Sequence, residues 1–130
     1  MVIDTSALLA VLLSEPEGEA FATAMSTAQS RLVGAPTLVE ATAVMLARKG
    51  RPGVIALDAL LAHLDIEVVA MTAGAAEFAR DAYTRFGKGV GSPGVLDYGD
   101  TLAYGVARAT DEPLLYKGVD LPQTDIRPAL

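Results

Sequence analysis

Four acidic side chains in this sequence have the type and placement needed to hold a divalent cation. Asp4 directly follows the first apolar run, Asp120 lies just beyond a late apolar stretch, Asp100 falls in the first turn of a predicted helix, and Glu40 stands among apolar and small residues. Mg²⁺ and Mn²⁺ prefer oxygen ligands, and such ions support phosphodiester hydrolysis by activating water and offsetting developing charge. The four carboxylates are therefore candidate members of one metal site.

Simpler structural roles are open for three of these acids. Asp4 is placed to cap a helix beginning at Thr5, and Asp120 fits a turn in the segment KGVD. Asp97 and Asp100 are three residues apart, which makes Asp97 a candidate N-cap and Asp100 a first-turn acid favoured by the helix dipole. We assign Asp97 to capping and expect Asp100 to project towards the site.

Glu40 has two interpretations that the sequence leaves open. Its helical stripe continues through Ala43, Val44 and Ala47, which is typical of a core face. An ionised carboxylate on a core face is unfavourable unless it is paired, hydrogen-bonded or bound to a cation, so this position favours a functional role. The alternative is an exposed position on a helix whose other residues are simply small.

The elements that must position these acids alternate along the chain. Strands are predicted at 1–3, 31–35, 66–71 and 114–116, and helices at 7–13, from Pro16 to 28, from Pro36 to just before Gly50, at 52–64, from the Thr72 cap to Phe86, and at 98–109. This order predicts an α/β fold with a mainly parallel sheet flanked by helices in three layers. Ligands of such sheets bind at the carboxyl ends of the strands, where Asp4 and Asp120 are expected.

Composition narrows the class of protein. The chain has 130 residues, of which 52% are hydrophobic and 5% aromatic, so we expect one domain over residues 1–130 with a core of Ala, Leu and Val. There is no Cys and a single His, which excludes disulfides, thiolate metal sites and zinc sites with several imidazoles. No apolar run approaches the roughly 20 residues of a membrane span. The amino-terminal stretch lacks the basic start of a signal peptide, which indicates a cytoplasmic protein.

The net charge of −6 argues against a generic basic nucleic-acid binder, although a metal ion can neutralise a local acidic cluster. Basic residues nevertheless gather in two stretches, and one lysine lies near the late strand. The candidate phosphate contacts are Arg48, Lys49, Arg51, Arg85, Lys88 and Lys117.

Three segments of the sequence resemble those of one family. VIDTSALLAVLLSEPEGE at the start, APTLVEATAVM in the middle and DYGDTLAYGVARATDEPLLYKGVDLPQTDI at the end resemble a PIN-domain ribonuclease, and within that group a VapC-type toxin of a toxin–antitoxin pair. The resemblance spans almost the whole chain. It places Asp4, Glu40, Asp100 and Asp120 on the family's acidic quartet.

The resemblance implies a PIN-like, Rossmann-like fold, Mg²⁺ or Mn²⁺ as cofactor, and endonucleolytic cleavage of RNA such as transfer or ribosomal RNA. We expect Asp4 and Asp100 to hold the principal metal, Glu40 and Asp120 to complete its surroundings, and a metal-activated water to attack the phosphorus. Thr5 and Ser6, beside the first acid, are expected to assist in positioning metal or phosphate.

The same resemblance implies two protein partners, a cognate antitoxin and a second copy of the chain in a homodimer. The antitoxin is expected to lie along a groove between helices, for which one apolar helical stripe is a candidate lining unless it is plain core. That stripe consists of Val54, Leu57, Leu60, Leu61 and Leu64.

Two other functions remain as alternatives. A response-regulator receiver has similar length and clustered acids, but it requires an Asp at the end of its third strand, where this sequence has VVAM followed by Thr72. The four retained acids argue against a catalytically inactive PIN-like binding protein. That alternative stays open because Val119 and Leu121 flank Asp120 where the family often has an acidic and an aromatic residue.

Overall fold

The computed structural model describes residues 1–130 and contains four short strands and five α-helices. The order along the chain is β1 (Val2–Ile3), α1 (Thr5–Leu12), α2 (Gly18–Thr27), β2 (Leu32–Gly34), α3 (Ala35–His63), β3 (Glu67–Val69), α4 (Ala73–Phe86), α5 (Tyr98–Thr110), β4 (Leu114–Leu115) and a 3₁₀ turn at Leu121–Gln123. The predicted alternation of strands and helices is confirmed.

The sheet is entirely parallel, with the strand order β3-β2-β1-β4. Val2 of β1 pairs with Leu32 of β2 on one side and with Leu114 of β4 on the other. β1 is therefore a central strand, and the residue that follows it, Asp4, emerges in the middle of the carboxyl edge. This order confirms the predicted α/β architecture.

Neighbouring residues of one strand enter opposite halves of the core, because side chains alternate across a sheet. Val2 and Leu114 pack with α4 and α5, whereas Ile3 and Leu115 pack with α1, α2 and α3. The two apolar clusters lie on the two faces of the sheet. Helices thus cover both faces, which is the predicted three-layer arrangement.

Close packing of α4 against α5 depends on small residues. A Cβ on Gly105 of α5 would lie only 2.4 Å from the carbonyl oxygen of Ala75 in α4 and 3.0 Å from the Cβ of Ala79. The small residues of α4 therefore let α5 approach its backbone directly. Of the Ala, Leu and Val expected in the core, Ala supplies this contact.

The predicted helix boundaries differ most from the structure at two places. Pro16 was expected to begin a helix, but α2 begins at Gly18, because Glu15, Pro16 and Glu17 form the turn from α1. The two helices expected on either side of Gly50 run together as α3, with Gly50 in a left-handed conformation (φ 64°) that interrupts the helical geometry. Gly50 was placed correctly as a break, but the chain resumes helical geometry at once.

No helix combines the length and the hydropathy that crossing a bilayer requires.

Candidate active site

Asp4 lies at the carboxyl end of β1 and is almost fully buried, with 5% of its surface exposed. Its Oδ2 accepts hydrogen bonds from the backbone N–H of Ser6 (3.0 Å) and from the Ser6 hydroxyl (2.6 Å), so Asp4 caps α1. The oxygens of the Asp4 carboxylate have further lone pairs, so the capping hydrogen bonds do not use all of its acceptor capacity. The two roles considered for Asp4 are thus compatible.

The Ser6 hydroxyl also joins the ends of two strands. It accepts a hydrogen bond from the backbone N–H of Lys117, just beyond β4, at 2.9 Å while it donates to Asp4. The loop that carries Asp120 is therefore anchored beside Asp4. An assisting role was expected for this hydroxyl, but its link to Lys117 had no signal in the sequence.

Asp97 and Asp100 form a reciprocal capping box at the amino end of α5. Asp97 Oδ1 accepts from the N–H of Asp100 (2.9 Å), and Asp100 Oδ2 accepts from the N–H of Asp97 (3.0 Å). The capping role predicted for Asp97 is confirmed. Asp100 shares in the cap through Oδ2, which leaves its Oδ1 without a protein donor.

The carboxylates interact electrostatically across the carboxyl edge. Burial raises the pKa of Asp100 to about 7, with the charges of Asp97 and Asp4 adding to the effect and the hydrogen bond from the Asp97 N–H opposing it. Burial also raises the pKa of Asp4, and the charge of Glu40 adds to that rise against the hydrogen bonds from Ser6. Asp4 is thus coupled to both Glu40 and Asp100.

Glu40 is half-buried, and its carboxylate lies against the backbone of Gly99 in the first turn of α5. A Cβ on Gly99 would be 2.2 Å from Glu40 Oε2, so only glycine leaves room for the carboxylate there. Gly99 was not singled out from the sequence. The only sequence feature that marks Gly99 is the absence of a side chain at a position between the two acids of DYGD.

Of the two interpretations left open for Glu40, the one that places it on a core face is wrong. Ala43 and Ala47 are exposed, and the face of α3 that packs into the core carries Thr37, Ala41 and Met45. Small residues recur at helical spacing on both faces of α3, so the periodicity did not show which face is buried. Glu40 faces the amino end of α5 instead.

Asp120 is the acid least connected to the others. It is half-buried and directly precedes the 3₁₀ turn, and its carboxylate makes no hydrogen bond or ion pair. Only the anchored loop after β4 relates it to Asp4. Asp4, Glu40 and Asp100 therefore interact electrostatically, whereas no polar contact joins Asp120 to them.

The candidate phosphate-binding cations divide into two groups. Arg85 is paired with Asp81 and Asp125, and the Lys117 ammonium is paired with Glu15 and Glu17. These two charges are already partly satisfied within the protein. The remaining four are exposed and make no ion pair, namely Arg48, Lys49, Arg51 and Lys88.

The apolar stripe considered for antitoxin contact is mixed. Leu57 is fully buried in the core, Val54, Leu60, Leu61 and Leu64 are half-buried, and Leu60, Leu61 and Leu64 pack against the core cluster that contains Leu57. The interpretation as core is therefore right for Leu57.

The acids fit a hard divalent cation by chemistry and charge. They offer oxygen donors only, and no Lys or Arg forms an ion pair with Asp4, Glu40 or Asp100. No three acidic, His or Cys side chains converge as a ready-made metal cage. Mg²⁺ is often held by one or two carboxylates while it keeps several waters, so a complete protein cage is not a requirement.

Comparison with known proteins identifies the family. The family model described as PIN domain matches residues 1–127. The chain belongs to the PIN domain family. Within it, the sequence is 44% identical to Ribonuclease VapC30 of Mycobacterium tuberculosis over 126 residues, covering 97% of this chain and 95% of the relative. It is also 40% identical to Ribonuclease VapC42 of the same species over 130 residues, covering 99% and 98%.

The fold of this PIN domain also matches a solved structure. The crystal structure of Mycobacterium tuberculosis VapC20, described as a Sarcin-Ricin loop cleaving toxin, superposes with a TM-score of 0.71 at 17% identity and covers 98% of each chain. That likeness concerns the fold. Together with the sequence matches, it confirms the family resemblance and sets aside the receiver alternative, for which no acid ends β3.

Proposed function

We propose that this protein is a divalent-metal-dependent endoribonuclease that acts in the cytoplasm as the toxin of a toxin–antitoxin pair. The observation that carries the proposal is geometric: Asp4 is buried at the end of β1, and Glu40 lies against the first turn of α5, which carries Asp100. Strong identity to two VapC ribonucleases over nearly the whole chain supports the same activity.

In this proposal Asp4 and Asp100 hold the cation, which is Mg²⁺ or Mn²⁺. When bound, such an ion polarises the phosphate and lowers the pKa of a coordinated water. Asp4 is suited to this role because Ser6 fixes its Oδ2, and Asp100 because its Oδ1 is not engaged in the capping box. Burial is the main cause of the raised pKa of both groups, and the charges of neighbouring carboxylates add to it.

Glu40 and Asp120 complete the acidic site. Glu40 approaches Gly99 closely enough to bring its carboxylate to the first turn of α5, beside Asp100. Asp120 is carried by the loop that the Ser6 hydroxyl anchors through Lys117. Exposed Arg48, Lys49, Arg51 and Lys88 provide phosphate contacts outside the acidic centre.

The partners of the proposed toxin are an RNA such as transfer or ribosomal RNA, a cognate antitoxin, and a second copy of the chain. VapC20, which shares the fold, is a Sarcin-Ricin loop cleaving toxin. For the present protein we propose only the class of substrate, structured RNA.

Cleavage of purified cellular RNA tests the proposal. The wild-type protein should produce discrete cuts with Mg²⁺ or Mn²⁺ and none in EDTA. Asp4→Asn and Asp100→Asn should each lose the activity while keeping the circular dichroism spectrum of the wild type. Asp58→Asn, the same chemical change at an exposed position on α3, serves as the matched control and should cleave normally.

Two results would contradict the proposal. Full cleavage by either site variant would remove that acid from the mechanism. Intact RNA with the wild-type protein, in the presence of either metal, would favour the alternative of a catalytically inactive PIN-like binding protein.

A further inference from the structure

A groove of about 590 Å³ lies between α4 and α5, and an aromatic side chain stands open at it. Tyr98, the first residue of α5, is 74% exposed, whereas Tyr83 across the groove is 37% exposed. Tyr98 is the most exposed aromatic residue of the chain. Its hydroxyl makes no hydrogen bond, and only its backbone carbonyl accepts one, from the Thr101 hydroxyl.

The groove shares one helical turn with the acidic site. Gly99 contacts Glu40, Asp100 belongs to the carboxylate cluster, and Tyr98 and Thr101 line the groove. One turn of helix rises only about 5.4 Å. A strand whose phosphate lies at the acids therefore has its neighbouring nucleotide within reach of the groove.

The lining has the chemistry that an unpaired nucleobase requires. Met71 and Leu102 provide apolar surface, and Tyr98 and Tyr83 provide aromatic rings. Stacking on aromatic side chains binds single-stranded bases with little dependence on sequence. The volume lies within the range of roughly 300–1,000 Å³ that is usual for small-molecule sites.

A cation at the edge of the groove complements the phosphate of such a nucleotide. Arg80 lines the groove, and its side chain is 76% exposed in a pair with Glu77 that is equally open to water. Exposed pairs of this kind contribute little, so the guanidinium can exchange its partner for a phosphate. Because the whole chain has a net charge of −6, a combination of stacking and a local cation suits RNA better than long-range attraction.

We propose that the groove between α4 and α5 binds one unpaired nucleobase next to the scissile phosphate, with Tyr98 stacking on the base and Arg80 contacting the phosphate beside it. The inference rests on the ribonuclease function proposed above and names the form of RNA that the site selects. Tyr98 then sets the position of the strand, and bases held in a duplex are excluded from the groove.

Binding of two short RNA strands tests this assignment. Both strands are about 12 nucleotides long, within the usual range of single-strand sites, and one carries abasic riboses at its centre. Affinities are measured by fluorescence anisotropy in an Asp100→Asn background, which prevents cleavage in the proposed mechanism. The protein should bind the base-bearing strand more tightly, by roughly 10-fold. Tyr98→Ala should abolish that preference, and Tyr98→Phe should retain it.

Ile55→Ala is the matched control, because Ile55 is a comparably exposed apolar residue of α3, and it should keep the preference. An undiminished preference in Tyr98→Ala would overturn the proposal. If the same variant also shifted from dimer to monomer in sedimentation, the groove would be assigned to a second copy of the chain.

Failure of the ribonuclease function is recognised separately. It would leave cellular RNA intact with the wild-type protein, whereas failure of the nucleobase site would appear in the binding ratio of the two strands. The two proposals are thus tested by different measurements.

Discussion

Gly99→Ala is the substitution that best isolates the position of Glu40. The new Cβ would lie 2.2 Å from Glu40 Oε2, and ordinary contact between such atoms begins at about 3.5 Å. The carboxylate must therefore retreat by about 1 Å or turn away. The atom that yields is the end of a flexible side chain, so the backbone of α5 is expected to stay in place.

Stability and activity should respond in opposite directions. Alanine in place of a helical glycine raises the free energy of unfolding by up to about 1 kcal/mol, because the unfolded chain loses conformational freedom. A displacement of about 1 Å in an active site lowers rates by roughly 100-fold. Urea denaturation and Mg²⁺-dependent RNA cleavage measure the two effects on the same preparation.

Gly74→Ala is the matched control, because Gly74 has the same second position in α4 and its new Cβ would meet only Thr72 Oγ1, at 3.8 Å. It should leave cleavage unchanged. In a Glu40→Ala background, Gly99→Ala should lower the rate little further, since the displaced carboxylate is already absent. Equal losses in both backgrounds would refute the reasoning.

Three further outcomes are expected. In EDTA the free energy of unfolding should fall as the pH rises from about 4 to about 7, because folding raises the pKa of Asp100 to about 7 and the folded protein binds the proton more tightly. In thermal melts, Asp100→Asn should make the melting temperature less dependent on pH across that range. Gly105→Ala should destabilise the protein by roughly 1–3 kcal/mol in urea, because its Cβ would meet the Ala75 carbonyl oxygen at 2.4 Å; a neutral result would contradict the close packing of α4 and α5. Replacing Arg48, Lys49 and Arg51 with Gln should reduce the salt dependence of RNA binding, and an unchanged slope would exclude them as phosphate contacts.

Local sequence patterns predicted what depends on local backbone geometry. Asp97 precedes a helix and has an acid three residues later, which is sufficient to predict its cap. The alternation of strands and helices predicted the parallel sheet and the edge at which Asp4 emerges. Gly50 marked the interruption of α3, because a left-handed residue favours glycine wherever it occurs.

The sequence did not show which face of a helix is buried or which basic residue is paired. Small residues lie on more than one face of α3, so its periodicity did not show that Thr37, Ala41 and Met45 form the core face or that Glu40 lies outside it. Charge alone likewise did not separate the paired Arg85 from the unpaired Lys88. Which face is buried, and which cation is paired, depends on the neighbouring element.

The sequence by itself determined the fold class, the cap at Asp97 and the chemical type of the site, because these follow from residue type, periodicity and spacing. Only the tertiary structure decided that Glu40 meets Gly99, that Ser6 ties the end of β4 to Asp4, and that burial near other carboxylates raises the pKa of Asp100. The physical reason is distance along the chain. These contacts join residues far apart in sequence, and the parallel sheet brings them to one edge.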